Sequence, residues 1–471
     1  MGRCLAAVVI VALLVGAGCG GHARRPERPA PAPEVTRATL SGVSPYARCR
    51  RRDPSVQRSA EVEPHLAVDP TDPGHLLAVW QQDRRTAGGA VGIAVAASTD
   101  GGSTWNAQRV PGGAPCGARG LTGASDPWAA IGPEGTAYLA ALPFAARRAK
   151  PPRRAEVTVN RAAPAAGRAP GAWSAPTALT AGRAFDDKPA VPADPRRPGV
   201  AYVVWHRGGR TLLSRTGDAG VTWREPRTVR SLRDTAGQVI SRLPGGRLLM
   251  TALASGRSRR PFVAVRSEDG GRTWGRRVRF GARGPAVARR RGEELVRGGG
   301  LPAVAVLPHG TVVVVRATAG RRRSRLLRVV SRDGGRTWSP ATVVLRRPGR
   351  LFIPALAAAP DGTLGVSWTE AAKGRPAGRP LTTEGYFASS PDGGLTWDVR
   401  RIVGPFDLRR APRAGRARFL GDYTGLVAVR GGFGMLTAVA PPTAVRGRSD
   451  VVYVTVRVPG RDRAGPGTSS G

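Results

Sequence analysis

Short apolar runs rich in Val, Ala and Leu alternate with turns along most of the chain. Two runs joined by a turn form one unit, as in residues 63–68 followed by residues 75–80. The turns carry Asp-Pro, Pro-Glu-Gly, Pro-Gly-Gly, Pro-His-Gly or Pro-Asp-Gly, which are typical of hairpins because Pro and Gly restrict or permit the required backbone angles. Units of this kind begin at Glu63, Asp126, Asp187, Gln238, Leu301, Phe352 and Asp422. The pattern leaves almost no helix and predicts an all-β fold of antiparallel strands.

An eight-residue phrase, S/T-x-D-x-G-x-T-W, follows five of these units. It occupies residues 98–105, 216–223, 267–274, 331–338 and 390–397. Asp and Gly form a tight turn, because Gly accepts a positive φ and Asp bonds to its own backbone. The Trp offers a large apolar surface to the core, so each phrase predicts a β-hairpin with a buried anchor. The residues assigned this structural role are Asp100, Trp105, Asp218, Trp223, Asp269, Trp274, Asp333, Trp338, Asp392 and Trp397.

The phrase resembles the Asp box, or BNR repeat, of the sialidase (neuraminidase) family. That resemblance implies a β-propeller, in which four-stranded blades surround a central channel. In the family the box connects the third and fourth strands of a blade and lies away from the catalytic mouth. It therefore implies a structural role for the boxes and leaves activity open.

The number of units favours seven blades, with six as the alternative. Unit two keeps two strand-like segments, at residues 156–159 and 173–176, but lacks the box. Unit seven ends with residues 451–458 as a third strand. A strand from residues 35–59 is expected to complete that blade and close the ring, which removes an exposed edge. The family's catalytic domains are six-bladed, so the favoured count departs from the enzymes.

The N-terminal segment reads as a targeting signal. Residues 5–15 form an apolar run after Arg3, too short for a transmembrane helix but suited to a signal peptide. The sequence up to Cys19 resembles a bacterial lipobox, with Gly16 where Leu is usual. We therefore expect a signal peptide at 1–18, a lipidated Cys19 with a disordered spacer at 19–34, a propeller at 35–458 and a disordered tail at 459–471. This organisation places the protein outside the cell, lipid-anchored to the outer face of the cytoplasmic membrane. Secretion without an anchor is the alternative.

Two further cysteines remain in the expected mature protein. Cys49 and Cys116 form an even pair in an oxidising compartment, which favours one disulfide. Two unpaired thiols are the alternative.

The net charge of +42 comes almost entirely from arginine, and only Lys150, Lys188 and Lys373 are lysines. Such a charge favours a polyanionic partner. Nucleic acid is not expected, because the tryptophans recur on a structural schedule rather than as base-stacking groups in one basic groove. An anionic glycan or envelope polymer remains. We expect a monomer without cofactor or metal, since no His-rich or Asp-x-Asp-x-Asp loop is present.

Candidate chemistry lies where the first strand of each blade begins at the channel mouth. The candidates for catalysis are Glu63, Asp126, Asp187, Asp422 and Tyr423. Carboxylates that converge there raise one another's pKa, as a general acid requires, but they also serve as braces between blades.

Sialidases use a Tyr nucleophile. The resemblance further implies a supporting Glu, an Asp acid and three Arg. Tyr423 and Tyr386 are the candidate nucleophiles, with Glu384 beside the latter, but the family's Phe/Tyr-Arg-Ile-Pro phrase is missing. Basic stretches at 224–233, 283–297 and 400–418 are expected as interblade loops that form a cationic rim.

Three functions remain open at this point. The favoured one is a surface lipoprotein with a sialidase-like propeller that binds glycan or another anionic envelope ligand. An exo-sialidase or related glycoside hydrolase is the alternative. An envelope assembly or scaffold protein is the second alternative.

Overall fold

The computed structural model describes residues 35–42, 44–46, 53–113, 121–145, 155–180, 184–256, 260–282, 296–298, 300–320, 322–373, 379–442 and 445–458. Within these ranges the regular structure is β-strand, apart from short 3-10 turns at Ala166–Arg168, Pro244–Gly246 and Leu408–Arg410. No helix in the described residues has the length and hydropathy to cross a membrane. Cys19, Cys49 and Cys116 lie outside the described residues, so the lipidation and the disulfide stay predictions.

The strands form antiparallel meanders, in which each strand pairs with the next along the chain. The N-terminal strand is β1 (Val35–Thr39). Meander 1 contains β2 (Val62–Val68), β3 (Leu76–Arg84), β4 (Ala90–Ser98) and β5 (Asn106–Gln108). Meander 2 contains β6 (Gly123–Ile131), β7 (Ala137–Phe144) and β8 (Thr158–Pro164), with β9 (Pro170–Trp173) and β10 (Thr177–Ala178) both paired to β8. One residue pair, Ala90 with Ala124, joins meanders 1 and 2.

The next meanders repeat this order. Meander 3 contains β11 (Asp186–Ala190), β12 (Ala201–Arg207), β13 (Arg210–Thr216) and β14 (Arg227–Arg233). Meander 4 contains β15 (Thr235–Arg242), β16 (Leu248–Ala254), β17 (Phe262–Ser267) and β18 (Val278–Phe280). The short strand β19 (Val296–Arg297) follows. Meander 5 contains β20 (Ala303–Val306), β21 (Val312–Thr318), β22 (Ser324–Ser331) and β23 (Thr342–Arg347).

The chain then completes the ring. Meander 6 contains β24 (Arg350–Ala358), β25 (Leu364–Ala371), β26 (Thr382–Ser390) and β27 (Asp398–Asp407). The strands β28 (Arg413–Ala414) and β29 (Ala417–Phe419) form a small separate sheet with β19. Meander 7 contains β30 (Gly425–Val429), β31 (Gly432–Val439) and β32 (Asp450–Arg457), and β1 is its fourth strand.

The first strands contact one another in cyclic order. Each of β2, β6, β11, β15, β20 and β24 contacts the first strand of the next meander, and β30 contacts β2. The register of β1 on β32 pairs Val35 with Val456 and Thr39 with Val452. A strand from residues 35–59 therefore completes the last meander, as predicted, and the all-β propeller fold is confirmed.

The hydrophobic core lies between neighbouring meanders. One cluster joins Tyr202 of β12 with Met250 and Val265 of meander 4, all of them buried. Strands packed on both faces need apolar residues at successive positions, which explains runs such as the fully buried β21. The core is therefore distributed around the ring.

The five Asp boxes connect the third and fourth strands of their meanders. In the first box, the Asp100 carboxylate accepts from the Ser98 hydroxyl at 2.8 Å and from the Thr104 backbone N–H at 2.9 Å. The other boxes repeat these bonds. Each box Trp is half-buried against the core, so the expectation of a buried anchor is only partly met.

The second Gly of a box lies against the preceding meander. Gly102 packs on Tyr453, and the Tyr453 hydroxyl donates to the Gly101 carbonyl at 3.1 Å. Gly271 packs likewise on Tyr202, and Gly335 on Leu249. An added Cβ would collide with the neighbour at Gly102 and Gly335 and would make a tight contact at Gly271, so the box also forms a contact between meanders.

Candidate functional site

The first strands of five meanders contain a bulge near their start, where two residues lack a partner on the second strand. The first residue of each bulge has a left-handed φ, at Glu63 (53°), Asp126 (50°), Lys188 (51°), Gly237 (61°) and Ile353 (52°). Four of them are not glycine, so the conformation is strained and the surrounding sheet must hold it. The bulge therefore presents one side chain from each of four meanders at the mouth, the end of the channel where the first strands begin.

The bulge corrects the alignment of the third unit. The position equivalent to Glu63 and Asp126 is Lys188, because each of the three precedes a proline inside its bulge. Asp187 lies one residue earlier, paired with His206 of β12. Lys188 was missed by the sequence reasoning, although the Lys188-Pro189 dipeptide matches Glu63-Pro64.

Lys188 joins the carboxylates that the sequence singled out. Its Nζ donates to Asp422 Oδ2 at 2.7 Å and lies 3.6 Å from Asp126 Oδ1. Glu63 and Asp187 also act electrostatically on this amine. The residues Glu63, Asp126, Asp187, Lys188 and Asp422 are called the mouth cluster below. They connect meanders 1, 2, 3 and 7.

A second set of contacts ties Glu63 to meander 2. Gln81 of β3 donates through Nε2 to Glu63 Oε2 and, at 3.2 Å, to the Ser125 hydroxyl. Ser125 in turn donates to Asp126 Oδ2 at 2.7 Å. Arg84 donates to Gln81 Oε1 at 2.9 Å, which fixes the orientation of this amide. Glu63 and Asp126 are 3% and 6% exposed, so they are braced from within the protein.

Burial and neighbouring charges give the members of the mouth cluster different protonation states at neutral pH. Burial, with the Asp126 charge second, raises the pKa of Glu63 to about 8, and the same two causes raise the pKa of Asp187 to about 6. Burial opposes the charged forms of both Lys188 and Asp422. The charges of Asp126 and Asp422 outweigh it at Lys188, and the charge of Lys188 outweighs it at Asp422. The pKa of Lys188 is therefore raised and that of Asp422 lowered. At neutral pH Glu63 holds a proton, whereas Lys188 and Asp422 form an ion pair.

Tyr423 is buried beside the mouth cluster. Its hydroxyl donates to the Pro127 carbonyl at 2.9 Å. Burial, followed by the negative charge of Glu63, raises the pKa of Tyr423 well above its usual value. A Tyr nucleophile requires a base that takes its proton. The Tyr423 hydroxyl is instead hydrogen-bonded to a backbone carbonyl oxygen, which is not such a base.

His65 and Trp128 continue the wall of the channel. Their rings stack with centroids 3.9 Å apart, and Trp128 lies 5.4 Å from Tyr423. The Ala129 backbone N–H donates to His65 Nδ1 at 3.3 Å. Burial lowers the pKa of His65 to about 3, so the ring is neutral and Nε2 carries its hydrogen.

The channel is narrow, and its two sides differ in polarity. Lys188 and Asp422 line one side of a cavity of about 150 Å³, and Leu301, Pro302 and Pro354 line another. Pockets for drug-sized ligands typically span ~300–1,000 Å³. The cavity therefore suits small molecules such as water better than a sugar residue.

Two arginines flank an aromatic ring at the mouth. The guanidinium carbon of Arg84 lies 4.0 Å from the centroid of Phe419, and that of Arg297 lies 5.4 Å from it. Arg297 also approaches Asp422 Oδ2 at 3.7 Å. Its side chain is 58% exposed, whereas Arg84 is 4% exposed. Arg297 is thus the cation that a ligand at the mouth would meet first.

The basic stretches lie differently from the expectation. Most of 224–233 is β14, the outer strand of meander 3, and much of 400–418 belongs to β27, β28 and β29. Outer strands satisfy their backbone groups by pairing, so the interpretation as loops is wrong for residues 227–233 and 400–407. Residues 408–418 do connect meander 6 to meander 7. Residues 283–295 lie outside the described residues.

The other Tyr–Glu pair lies on β26. The Tyr386 hydroxyl donates to Glu384 Oε2 at 2.6 Å, and Arg401 donates to Glu384 Oε1 at 2.8 Å. The Arg347 guanidinium lies 4.5 Å from the Tyr386 ring centroid. Burial, followed by Glu384, raises the pKa of Tyr386 to about 12. Glu384 stays ionised because the Tyr386 hydrogen bond lowers its pKa.

Comparison with known proteins gives structural neighbours only. No protein-family model and no curated protein matches the chain. A Hadza microbial sialidase is similar in structure, with 16% identity, a TM-score of 0.43, and coverage of 85% of this chain and 66% of that one. A Dyadobacter fermentans protein of unknown function has 14% identity, a TM-score of 0.45, and coverage of 86% and 100%.

A sialidase from Trypanosoma rangeli, solved in complex with sialic acid, is a further neighbour. It has 15% identity and a TM-score of 0.45, and the match covers 91% of this chain and 60% of that one. The chain thus spans 60% to 66% of the length of these two sialidases. Structural neighbours of this all-β propeller therefore include sialidases.

Proposed function

We propose that this protein is a non-hydrolytic, sialidase-like propeller that binds an anionic glycan or another anionic polymer of the bacterial cell envelope. The observation that carries the proposal is the engagement of the mouth cluster. Gln81 binds Glu63, Ser125 binds Asp126 and Lys188 binds Asp422. A general acid must reach the leaving group of a bound substrate. Carboxyl groups that are buried and paired in this way serve as braces instead.

The charge of the molecule supports an anionic ligand. A net charge of +42 gives a long-range attraction for polyanions and raises their concentration near the surface. Arginine is suited to this role because its guanidinium group pairs with carboxylate or phosphate through two parallel hydrogen bonds.

Lipidation at Cys19 would place this surface against the envelope. Cys19→Ser is expected to move the protein from the membrane fraction into the medium, because the acyl chains supply most of the membrane affinity. Fractionation followed by immunoblotting measures the shift. Retention of the variant in washed membranes would contradict the anchor.

Two assays on the purified full-length chain test the proposed function. We expect binding to immobilised anionic polymers that weakens as salt rises, and no turnover of a fluorogenic sialoside. Glu63→Gln and Asp126→Asn should lower the melting temperature and leave polymer binding unchanged. Hydrolysis by the wild type that is lost in a folded Glu63, Asp126, Asp187, Asp422 or Tyr423 variant would contradict the proposal.

One observation favours the exo-sialidase alternative. Tyr386, Glu384 and Arg401 of meander 6, with Arg347 of meander 5, bring a phenol, a carboxylate and two guanidinium groups together. This alternative expects sialoside turnover that Tyr386→Phe reduces by about 10²–10⁴-fold, with the melting temperature unchanged. Tyr138→Phe, at another hydroxyl that donates to a glutamate, is the matched control.

A further inference from the structure

Two equivalent grooves lie between neighbouring meanders, beside the Asp boxes. Groove A separates meanders 3 and 4, and groove B separates meanders 4 and 5. In each, one wall is the end of a third strand, at residues 213–215 or 264–266. The segment after the box, near residues 224–229 or 275–278, forms a second wall. The box of the next meander closes the groove.

Both grooves are strongly cationic. Four arginines and one glutamate line groove A, namely Arg215, Arg224, Arg227, Arg272 and Glu225. Three arginines and one glutamate line groove B, namely Arg266, Arg276, Arg336 and Glu268. Glu268 accepts from Arg266 at 2.6 Å and lies 3.9 Å from Arg336 Nη2. Each groove thus keeps a positive charge that its own carboxylate does not balance.

Arg272 and Arg336 occupy the same place in their boxes. Both are the sixth residue of the phrase, both are exposed, and each closes one groove. The other described boxes carry Ser103, Val221 and Leu395 there. The basic residue at this position is therefore specific to two adjacent grooves and is not a requirement of the box fold.

Groove A also contains hydrogen-bond donors that lack a protein acceptor. The indole nitrogen of Trp274 and the Nε of Arg215 have no partner among the described residues. In the first and last boxes, by contrast, the indoles of Trp105 and Trp397 donate to their own box carbonyls at 3.0 Å. Both atoms are buried in the wall of the groove, where an unpaired donor is costly.

The size of groove A restricts its ligand. Its cavity is about 60 Å³, which is room for a few water molecules at ~10–15 Å³ of cavity volume each. A single oxyanion group fits such a space. Groove B is larger, at about 390 Å³.

We propose that grooves A and B together bind a linear phosphodiester polymer, with one phosphate on Arg272 and another on Arg336. This inference rests on the proposed function, which it deepens by naming the surface and the ligand class. Guanidinium groups pair bidentately with the two free oxygens of a phosphodiester. Two equivalent sites on one rigid ring also bind a repeating ligand with avidity.

The test uses the purified full-length chain, synthetic poly(glycerol phosphate) and isothermal titration calorimetry at two salt concentrations. The double variant Arg272→Gln/Arg336→Gln is expected to bind about tenfold more weakly, as two exposed charge-assisted contacts are lost. Its salt dependence should also be shallower, because fewer counterions are released. The matched control is Arg322→Gln/Arg323→Gln, which removes two exposed charges from the loop between β21 and β22. The control should stay within about twofold of the wild type.

The outcomes separate this inference from the proposed function. Equal losses in both double variants would show charge alone at work and overturn the groove site, while polymer binding itself stands. Binding of polysialate or of phosphatidylglycerol vesicles, without binding of poly(glycerol phosphate), would overturn the phosphodiester assignment in the same way. Failure of the wild type to bind any of these ligands would overturn both proposals.

Discussion

At the scale of single residues, one backbone position in five of the first strands decides the chemistry of the mouth. The left-handed residue is ionisable in meanders 1, 2 and 3, at Glu63, Asp126 and Lys188, and not ionisable in meanders 4 and 6, at Gly237 and Ile353. Charges therefore collect on one side of the channel. They stay there because one buried amine compensates several carboxylates.

Replacing that amine tests the brace. Lys188→Met should leave Asp126 and Asp422 without their cation and destabilise the fold by about 3–5 kcal/mol, the usual cost of breaking a buried ion pair. A lower urea midpoint measures the effect. Adding Asp422→Asn should restore part of the loss, because it removes one of the uncompensated charges. A midpoint equal to that of the wild type would mean that the mouth cluster is solvated.

A glycine pair isolates the contact between box and neighbour. Gly101 and Gly102 share a positive φ, but an added Cβ at Gly102 would lie 2.1 Å from the Tyr453 ring, and one at Gly101 would meet nothing. Gly102→Ala should cost about 1–3 kcal/mol more than Gly101→Ala, since only it overpacks the core. Thermal unfolding of the two variants measures the difference. Equal melting temperatures would contradict the packing argument.

At the scale of elements, the N-terminal strand β1 closes the ring through its contacts with the last meander. The backbone of β1 pairs with β32 over its whole length. Just beyond it, the Ser41 hydroxyl donates to Glu61, which also accepts from the Val451 N–H at 3.1 Å. The buried Glu61 thus connects the N-terminal segment after β1 with β2 and β32.

Removing β1 should leave the edge of β32 unpaired. Deletion of residues 1–39 is expected to expose β32, lower the melting temperature and cause self-association, because an unpaired strand edge recruits another chain. Deletion of residues 1–34 keeps β1 and is the control. Light scattering after size-exclusion chromatography measures both. A monomeric, equally stable 1–39 deletion would show that β1 is dispensable.

At the scale of the whole molecule, buried carboxyl groups link stability to pH. Burial raises the pKa of Glu63 to about 8, of Glu61 to about 7 and of Asp187 to about 6, all above the values for free side chains. The folded state therefore holds these protons more tightly than the unfolded chain. Their contribution is complete below the unfolded values, which are near 4, and is lost as pH rises through the folded values.

The melting temperature should accordingly fall as pH rises from about 4.5 to about 8. Glu63→Gln should flatten the upper part of this profile, because the amide keeps the shape and cannot ionise. Glu225→Gln, at an exposed glutamate, is the control and should leave the profile unchanged. Differential scanning calorimetry across this range measures the slope. An unchanged slope in Glu63→Gln would remove Glu63 as its cause.

The sequence by itself determined the all-β class, the hairpins and the strand that closes the ring. The spacing of the apolar runs, the turn residues and the repeated box are local signals, and each acts through a few neighbouring residues. The same signals brought Glu63, Asp126, Asp187 and Asp422 to one end of the channel, since equivalent positions of a repeat meet there.

Only the tertiary structure decided what those residues do. Lys188 entered the mouth cluster because a bulge shifted its register by one residue, and Gln81 of β3 joined Glu63 of β2 to Ser125 of β6. The basic stretch at 224–233 became an outer strand because pairing satisfied its backbone groups. Such contacts join residues far apart in the chain. Their distances and burial arise only when the ring closes.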